Sequence, residues 1–298
     1  MTILLTGSSG FLGRQVLKEL EENFSTKEIC LINSESLSTH PTIIRAGSEI
    51  RLTKQKMEIL KRVTHLVHIG SFIPKNKSEV KRFDLALESI NFTYNLINLP
   101  TPKLEKVIFV STVDVYSRNL IPISEASPTV ASNAYTSMKL FCEKMIESHY
   151  SISGVPIQIF RTGHLYGEGD EVFDKLVPNL FRAIFEKKSI QLTVGLEQKL
   201  NLLYVKDAAS VICKSLQNSF KEEIVNLVSS KSVTIRELLA ILEGISSKQL
   251  EFNTQDSLPT TTDYHFKESK ISGHPQFVET PLEVGLLEVY NNWGRRFK

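Results

Sequence analysis

The sequence predicts an α/β protein: a doubly wound parallel sheet followed by a smaller C-terminal α+β lobe. Over the first half of the chain, short apolar runs of strand length alternate with segments of helical periodicity. This alternation is typical of a parallel sheet covered by helices on both faces. Beyond Arg161 the alternation loosens. We therefore expect a first domain over residues 1–162 and a second lobe over residues 163–298, some of whose segments return to the sheet.

The elements are predicted in order from these patterns. Five apolar runs indicate buried strands: Thr2–Thr6, Ile29–Asn33, His65–Ile69, Lys106–Val110 and Val155–Phe160. Four segments between them have helical spacing: Phe11–Leu20, Thr53–Arg62, Glu79–Leu99 and Tyr135–Tyr150. In the C-terminal lobe we expect helices over Leu176–Lys187, Asp207–Gln217, Ile235–Glu243 and Leu282–Trp293, and strands over Ile190–Thr193 and Ile224–Val228.

Composition indicates an ordinary globular protein. The 298 residues are 41% hydrophobic, and 35 basic and 33 acidic residues are mixed along the chain. Without a basic stripe, nucleic-acid binding is not expected. No stretch approaches the roughly 18 apolar residues of a membrane span, so we expect a cytoplasmic protein without membrane contact. Spacing predicts buried, reduced cysteines, structural histidines and no metal site; these residues are Cys30, Cys142, Cys213, His65, His68 and His149.

Three glycines stand between the first predicted strand and the first predicted helix. They are Gly7, Gly10 and Gly13 in the run Thr-Gly-Ser-Ser-Gly-Phe-Leu-Gly. Without side chains, backbone N–H groups can approach a pyrophosphate at the positive end of the helix. The alternative is a tight turn without a ligand. The pattern favours a Rossmann-type dinucleotide-binding domain, with a mainly substrate-binding second lobe, and adds three candidate cofactor contacts: Ser9, Phe11 and Leu12.

Tyr135 and Lys139 lie four residues apart on a predicted helix, hence on one face. The pair follows a strand that ends in Ser111-Thr112, at the sheet edge where such folds bind ligands. A unit charge about 4 Å from the phenol is worth about 4 kcal/mol at an effective dielectric constant near 20, enough to lower the pKa of Tyr135 toward neutrality. Tyr135 is then expected to exchange a proton with a substrate oxygen. The alternative is a surface tyrosine beside an exposed lysine.

Further motifs follow in a fixed order along the chain. They are Thr6–Gly13, His65–Ser71, Asn91 in Ile-Asn-Phe-Thr-Tyr-Asn-Leu, Val110–Tyr116, Tyr135–Lys139, Arg161–Asp170 and Leu203–Ala209. This series, nearly end to end, resembles the extended short-chain dehydrogenases of the NAD-dependent epimerase/dehydratase family, which act mostly on nucleotide sugars.

The resemblance implies roles for individual residues. Thr112 would hydrogen-bond the reacting oxygen, Tyr135 would be the acid/base, and Lys139 would bind the nicotinamide ribose. Asn91 would support the active-site lysine. Ser71, at the end of a strand that precedes the nicotinamide, would contact the cofactor. The resemblance further implies a homodimer formed through the two predicted helices over residues 79–99 and 135–150.

One departure from the family pattern concerns the cofactor. Asn33 ends the second predicted strand, where an acid would accept the adenosine ribose hydroxyls. No acid stands there that would repel the 2′-phosphate of NADP. No adjacent arginine stands there that would bind this phosphate and so require NADP. We expect NADP or NAD, with a preference for NADP and with Arg14 and Arg45 as the nearest candidate cations. Ser48 stands where the family usually has an aspartate beside the adenine.

Other departures concern the substrate. Val113-Asp114 stands where sugar 4,6-dehydratases of the family have Asp-Glu, so one dehydration carboxyl is missing. Asp114 is a possible acid/base, or a cap at a strand end. His164 is a possible substrate donor, or a buried, hydrogen-bonded histidine. Arg182 and Lys199 are candidates for binding substrate phosphates.

The leading hypothesis is an NAD(P)-dependent 4-ketoreductase or 4-epimerase of a nucleotide-linked sugar, in which hydride moves between nicotinamide and a sugar carbon. Chain length slightly favours the reductase. A reductase of a non-sugar carbonyl compound is the enzymatic alternative, favoured by the residues around Lys199. A non-catalytic NAD(P)-sensing module that keeps the fold is the other alternative.

Overall fold

The computed structural model describes residues 1–34, 39–76, 78–117, 122–170, 175–192, 195–217, 223–254, 265–267, 269–271 and 277–296. The chain forms two compact units. The first comprises Met1–Ser117, Pro128–Thr162 and Ala208–Asn226, and the second Arg118–Ser127, Gly163–Asp207 and Leu227–Lys298. No helix among the described residues is long and apolar enough to cross a membrane.

The elements are as follows in chain order. The strands are β1 (Ile3–Thr6), β2 (Ile29–Asn33), β3 (Thr42–Ala46), β4 (Glu49–Arg51), β5 (His65–His68), β6 (Lys106–Thr112), β7 (Ile157–Thr162), β8 (His164–Tyr166), β9 (Ile190–Leu192), β10 (Lys199–Tyr204), β11 (Ile224–Leu227), β12 (Ser232–Thr234) and β13 (Phe252–Thr254). The helices are α1 (Phe11–Asn23), α2 (Lys54–Leu60), α3 (Phe83–Ile97), α4 (Ala134–Ser151), α5 (Leu176–Glu186), α6 (Val205–Gln217), α7 (Ile235–Ser246) and α8 (Leu282–Arg296).

The first unit is built on an eight-stranded sheet in the order β11-β7-β6-β5-β1-β2-β3-β4. The pairs from β7 to β3 are parallel, and β4 closes one edge in the antiparallel direction. The strand order reverses at β1, which lies between β5 and β2. Ligands of such sheets bind beyond the carboxyl ends of the strands at this reversal. The predicted Rossmann-type fold is confirmed.

Burial explains why these segments form central strands. All residues of β1, β2 and β5 are buried, as expected when helices cover both faces of a sheet. On one face, Phe92 of α3 and Met138 of α4 pack into the same core as Leu4 and Phe109 of the strands. This packing holds α3 and α4 against the sheet. The three cysteines are buried and free, as predicted.

One local prediction differs from the structure, and one element was not predicted. The helix predicted over Glu79–Leu99 is a single 3-10 turn at Glu79–Lys81 followed by α3. Arg82 interrupts it with a non-helical backbone (φ −75°, ψ 79°), and its guanidinium binds Asp84, an acid in the first turn of α3 where the helix dipole favours one. The hairpin of β3 and β4 was not predicted, although a two-residue turn beginning at Gly47, with φ +58°, joins the strands.

The second unit contains two small sheets and several helices. Strands β8, β10 and β12 form one sheet, and β9 pairs with β13 in the other. Helix α8 packs against α5 and α7, and the Phe185 and Tyr290 rings stack with centroids 5.1 Å apart. Both α6 and β11 follow residue 162 in sequence, but most of each belongs to the first unit.

Candidate active site

The glycine loop joins β1 to the N-terminus of α1 in the first unit. Gly7 has φ +77°, a conformation that makes the tight turn and that side chains disfavour. A Cβ atom at Gly13 would lie 1.8 Å from the carbonyl oxygen of Gly7, so only glycine allows this approach of helix and loop. Gly10 is exposed and precedes α1 without a side-chain cap. Tight turn, bare backbone and close packing are the three features that a pyrophosphate site needs, so the loop fits a dinucleotide.

The other predicted contacts of this loop differ in exposure. Ser9 is exposed, Phe11 is half-buried and Leu12 is buried. Asn33 is buried at the carboxyl end of β2, where its Oδ1 accepts a hydrogen bond of 2.9 Å from the Ser8 hydroxyl.

The two candidate cations for a 2′-phosphate lie on different elements. Arg45 of β3 donates to the carbonyl oxygen of Gly47 at 2.7 Å. Its guanidinium lies 4.8 Å from the centroid of the Phe92 ring. Arg14 is exposed on α1.

Three predicted residues of the reacting centre lie together at the end of β6. Thr112 is the last residue of β6, and its Oγ1 accepts a hydrogen bond from the Asp114 backbone at 3.2 Å. Tyr135 enters from the first turn of α4 and is half-buried. Burial and the charge of Asp114 raise the pKa of Tyr135, and a hydrogen bond with Thr112 opposes that rise. The structure thus gathers a hydroxyl, a phenol and a carboxylate.

Lys139 is buried one turn along α4 from Tyr135. Its ammonium donates to the Ser71 hydroxyl and to the carbonyl oxygen of Val110, both at 2.7 Å. Burial lowers the pKa of Lys139 to about 8, and Cys142 and Glu143 oppose this change. Bonded to Ser71 and Val110, the ammonium lies 6.0 Å from the centroid of the Tyr135 ring.

The expectation that Lys139 lowers the pKa of Tyr135 is therefore wrong for this structure. The ammonium is directed at Ser71 and Val110, while burial of the phenol and its carboxylate neighbour Asp114 push the pKa of Tyr135 upward.

A buried ion pair ties α4 to β7. Arg161 donates to the Glu143 carboxylate through Nε at 3.1 Å and Nη2 at 2.6 Å, and both side chains are almost fully buried. The Ser111 hydroxyl donates to the same carboxylate. The Arg161 pair therefore fixes α4 against β7, and the Ser111 hydrogen bond fixes it against β6, the strand that ends in Thr112. The sequence prediction missed Glu143, although its four-residue spacing from Lys139 was a signal.

The role expected for Asn91 is corrected by the structure. Asn91 is exposed on α3, while Ser89 and Thr93 of the same helix are buried. Residues two apart on a helix face in different directions. Ser71 and Val110, rather than Asn91, hold the Lys139 ammonium.

The remaining candidates lie in the second unit. His164 begins β8 and is exposed, so the alternative of a buried histidine is wrong. Arg182 lies on α5, where it donates to Asn179 at 2.8 Å. Lys199 is exposed at the start of β10, opposite Thr234 of β12.

Comparisons with known proteins agree with this geometry. Residues 3–227 match the model of the NAD dependent epimerase/dehydratase family. The chain is 24% identical to the dTDP-4-dehydro-6-deoxyglucose reductase of Escherichia coli over 277 residues, which cover 87% of this chain and 86% of that protein. It is 23% identical to the dTDP-D-glucose 4,6-dehydratase of Mus musculus over 318 residues, covering 99% and 89%.

Among solved structures, the chain is similar to UDP-glucuronic acid 4-epimerase from Bacillus cereus in complex with UDP-glucuronic acid and NAD. The TM-score is 0.81 at 22% identity, with 99% of this chain and 100% of that chain covered. This likeness shows a shared fold. The family match covers most of the chain, including the glycine loop and the cluster of Thr112, Tyr135 and Lys139, and it confirms the resemblance seen in the motifs. The chain belongs to the NAD-dependent epimerase/dehydratase family and is an enzyme of the short-chain dehydrogenase type.

Proposed function

We propose that this enzyme transfers hydride between NAD(P) and a carbon of a nucleotide-linked sugar, as a 4-ketoreductase or 4-epimerase. The observation that carries the proposal is the cluster at the carboxyl ends of β5 and β6, where Thr112, Tyr135, Lys139 and Ser71 lie together in the unit that holds the glycine loop. The relatives described above are a reductase, a dehydratase and an epimerase of nucleotide sugars.

Each side chain has a separate task in the proposed reaction. NAD(P), when bound, supplies or accepts the hydride. Thr112 holds the reacting oxygen by its hydroxyl, and Tyr135 gives that oxygen a proton or takes one from it. Lys139 binds the nicotinamide ribose. Because the pKa of Tyr135 is raised, the phenol keeps its proton at neutral pH and can donate it to the oxygen of a ketone.

Dehydration is the less favoured reaction for this site. Val113 is buried and apolar at the position of one dehydration carboxyl. Asp114 is half-buried, with Oδ2 3.5 Å from the Thr112 hydroxyl. It supplies a single carboxylate beside the reacting centre. An elimination needs one group to remove a proton and another to protonate the leaving hydroxyl, and Asp114 supplies only one of them. The proton transfer of a reduction or an epimerisation is supplied by Tyr135.

The test is an assay of the purified protein with nucleotide-linked 4-keto and 4-hydroxy sugars and both reduced and oxidised cofactors. Loss of the reduced-nicotinamide absorbance with a 4-keto sugar identifies a reductase. Interconversion of two sugars without net change in that absorbance identifies an epimerase. Turnover of a non-sugar ketone alone would overturn the sugar assignment, and cofactor binding without any turnover would favour the sensing module.

We further propose that NADP binds no more weakly than NAD. Asn33 carries no charge to repel a 2′-phosphate, and its Oδ1 is bonded to Ser8. Titration of the protein with both cofactors measures the two affinities. Asn33→Asp places a negative charge beside the phosphate and should weaken NADP relative to NAD by at least about tenfold. Tight NAD binding without NADP binding in the wild type would contradict the proposal and would mean that Asn33 or a neighbour binds the ribose hydroxyls.

We also propose a homodimer formed through α3 and α4. Four large apolar side chains on these helices are each more than half exposed: Phe83, Leu87, Tyr94 and Phe141. The three on α3 share one face of that helix by their spacing. Exposed apolar side chains of this size are typical of a protein interface, and pairing two copies about a two-fold axis would cover them.

A further inference from the structure

A chain of buried hydrogen bonds crosses the first unit from β1 through β5 to α3. Thr6 Oγ1 lies 2.8 Å from His68 Nδ1, and His68 Nε2 lies 2.9 Å from Thr93 Oγ1. Thr93 Oγ1 in turn donates to the carbonyl oxygen of Ser89 at 2.9 Å. Thr6, His68 and Thr93 are fully buried. None of these side chains has a task in the reaction proposed above.

Hydrogen-bond counting fixes the state of His68. The single hydroxyl proton of Thr93 goes to Ser89, so Thr93 Oγ1 must accept from His68 Nε2–H. Nδ1 is then an acceptor, and it receives the hydroxyl proton of Thr6. The opposite tautomer would leave the buried Thr6 hydroxyl proton without an acceptor, which is costly. Burial, with smaller contributions from Lys139 and Arg45, lowers the pKa of His68 to about 3, so the ring is neutral.

Both ends of this chain hold the loop that follows β5. The Gly70 N–H donates to Thr6 Oγ1 at 3.0 Å, and the Phe72 N–H donates to Ser89 Oγ at 2.9 Å. Ser71, between these anchored residues, accepts the hydrogen bond from Lys139. The loop is therefore anchored on each side of the residue that binds the Lys139 ammonium.

We propose that His68 is a positioning residue, which joins β1 to α3 so that the loop Gly70–Phe72 presents Ser71 to Lys139 and thereby shapes the nicotinamide end of the cofactor site. This inference rests on the proposed function, since it assigns Lys139 to the nicotinamide ribose. The ring of His68 packs against Phe92 and Phe109, with centroids 5.7 and 5.3 Å away. A phenylalanine could make those ring contacts, but it could not make the two hydrogen bonds.

The test uses His68→Phe, which keeps a ring of similar size, and Ser71→Ala. Calorimetry measures the binding of NADH and NADPH, which carry the nicotinamide, and of ADP and 2′,5′-ADP, which lack it. We expect each variant to bind the reduced cofactors about tenfold more weakly, the equivalent of one well-placed hydrogen bond. Binding of ADP and 2′,5′-ADP should stay within about twofold. The double variant should bind the reduced cofactors as tightly as the single variant with the lower affinity, because both changes act through the same contact.

A matched control is Val67→Ala, which removes buried volume from the opposite face of β5. It should lower thermal stability without changing the ratio of reduced-cofactor to ADP affinity. Unchanged cofactor binding in His68→Phe, an equal loss for both kinds of ligand, or multiplying effects of His68→Phe and Ser71→Ala would overturn the proposal.

Two further measurements do not depend on the folding of His68→Phe. Thr93→Val removes the acceptor for His68 Nε2–H and should reproduce the selective loss of reduced-cofactor binding. In the wild type, nitrogen chemical shifts should show a neutral His68 protonated at Nε2, and protonation at Nδ1 would overturn the inference. If the wild type binds neither reduced cofactor, the proposed function itself fails, and the tautomer still shows separately whether the hydrogen-bond chain is as inferred.

Discussion

The chemistry proposed for single residues depends on the protons of two side chains of α4, Tyr135 and Lys139. Lys139 is buried and Tyr135 is half-buried, and burial moves each pKa toward the neutral form: upward for the phenol and downward for the ammonium. Tyr135 therefore holds its proton firmly, and Lys139 loses its proton close to physiological pH. These two properties lead to separate predictions.

Replacing Tyr135 with phenylalanine removes one oxygen and almost no packing volume. Turnover should fall by about 10² to 10⁴, the usual contribution of an acid/base group, while cofactor affinity and melting temperature are maintained. Absorbance of the reduced nicotinamide gives turnover on the substrate identified by the sugar assay. Tyr150→Phe, near the other end of α4, is the control and should keep wild-type turnover. Full activity of Tyr135→Phe would show that another group transfers the proton.

Lys139 should make stability depend on pH. Its pKa is about 8 in the folded chain and 10.5 ordinarily. Between these values the unfolded chain binds more protons, so raising the pH favours the folded state. The free energy of unfolding of the wild type, relative to Lys139→Met, should be constant below pH 7 and should rise by about 2 kcal/mol between pH 7 and 9.5. Urea unfolding measures this difference, and a flat difference across that range would contradict the assigned pKa.

Among the elements, α4 has the most demanding placement, because it carries both Tyr135 and Lys139. Apolar packing holds it against the sheet, but such packing tolerates small shifts along the helix axis. The two hydrogen bonds between Arg161 and Glu143 are directional and set the position of α4 relative to β7. The buried ion pair therefore complements the core.

Breaking this ion pair should cost far more than breaking an exposed one. Arg161→Met leaves Glu143 charged and buried without its partner, so the free energy of unfolding should fall by about 3 to 5 kcal/mol. Arg82→Met is the matched control. It breaks an exposed, two-bond pair with Asp84 and should cost less than about 1 kcal/mol. Urea unfolding compares the two variants, and similar losses would mean that the Arg161 pair does not set the position of α4.

For the whole molecule, the exposed apolar side chains of α3 and α4 predict self-association. Light scattering at micromolar concentration should give twice the chain mass of 33.7 kDa. Phe141→Glu places a charge in the proposed interface and should give the single-chain mass, because a buried unpaired charge is strongly unfavourable. Ile152→Glu, at a 94% exposed position outside the four-residue patch, should remain dimeric. A monomeric wild type would contradict the prediction.

The spacing of residues along the sequence was enough to predict the central strands, the glycine loop and the pairing of Tyr135 with Lys139 on one helix. Apolar alternation predicted the central strands, and the glycines after the first strand predicted the loop that enters α1. Tyr135 and Lys139 were placed on one helix face by their four-residue spacing. These features depend on residues near each other in the chain, and local backbone geometry determines them.

The tertiary structure decided which groups meet. Lys139 meets Ser71, 68 residues away, and Thr6 meets His68 across 62 residues. No local pattern encodes such contacts, because they depend on which strands become neighbours and on the face from which each helix packs. For that reason the sequence predicted Asn91 to lie near Lys139, whereas in the structure it is exposed on α3. The same long-range packing directs the Lys139 ammonium to Ser71 and Val110 and covers part of Tyr135, which raises the pKa of the phenol.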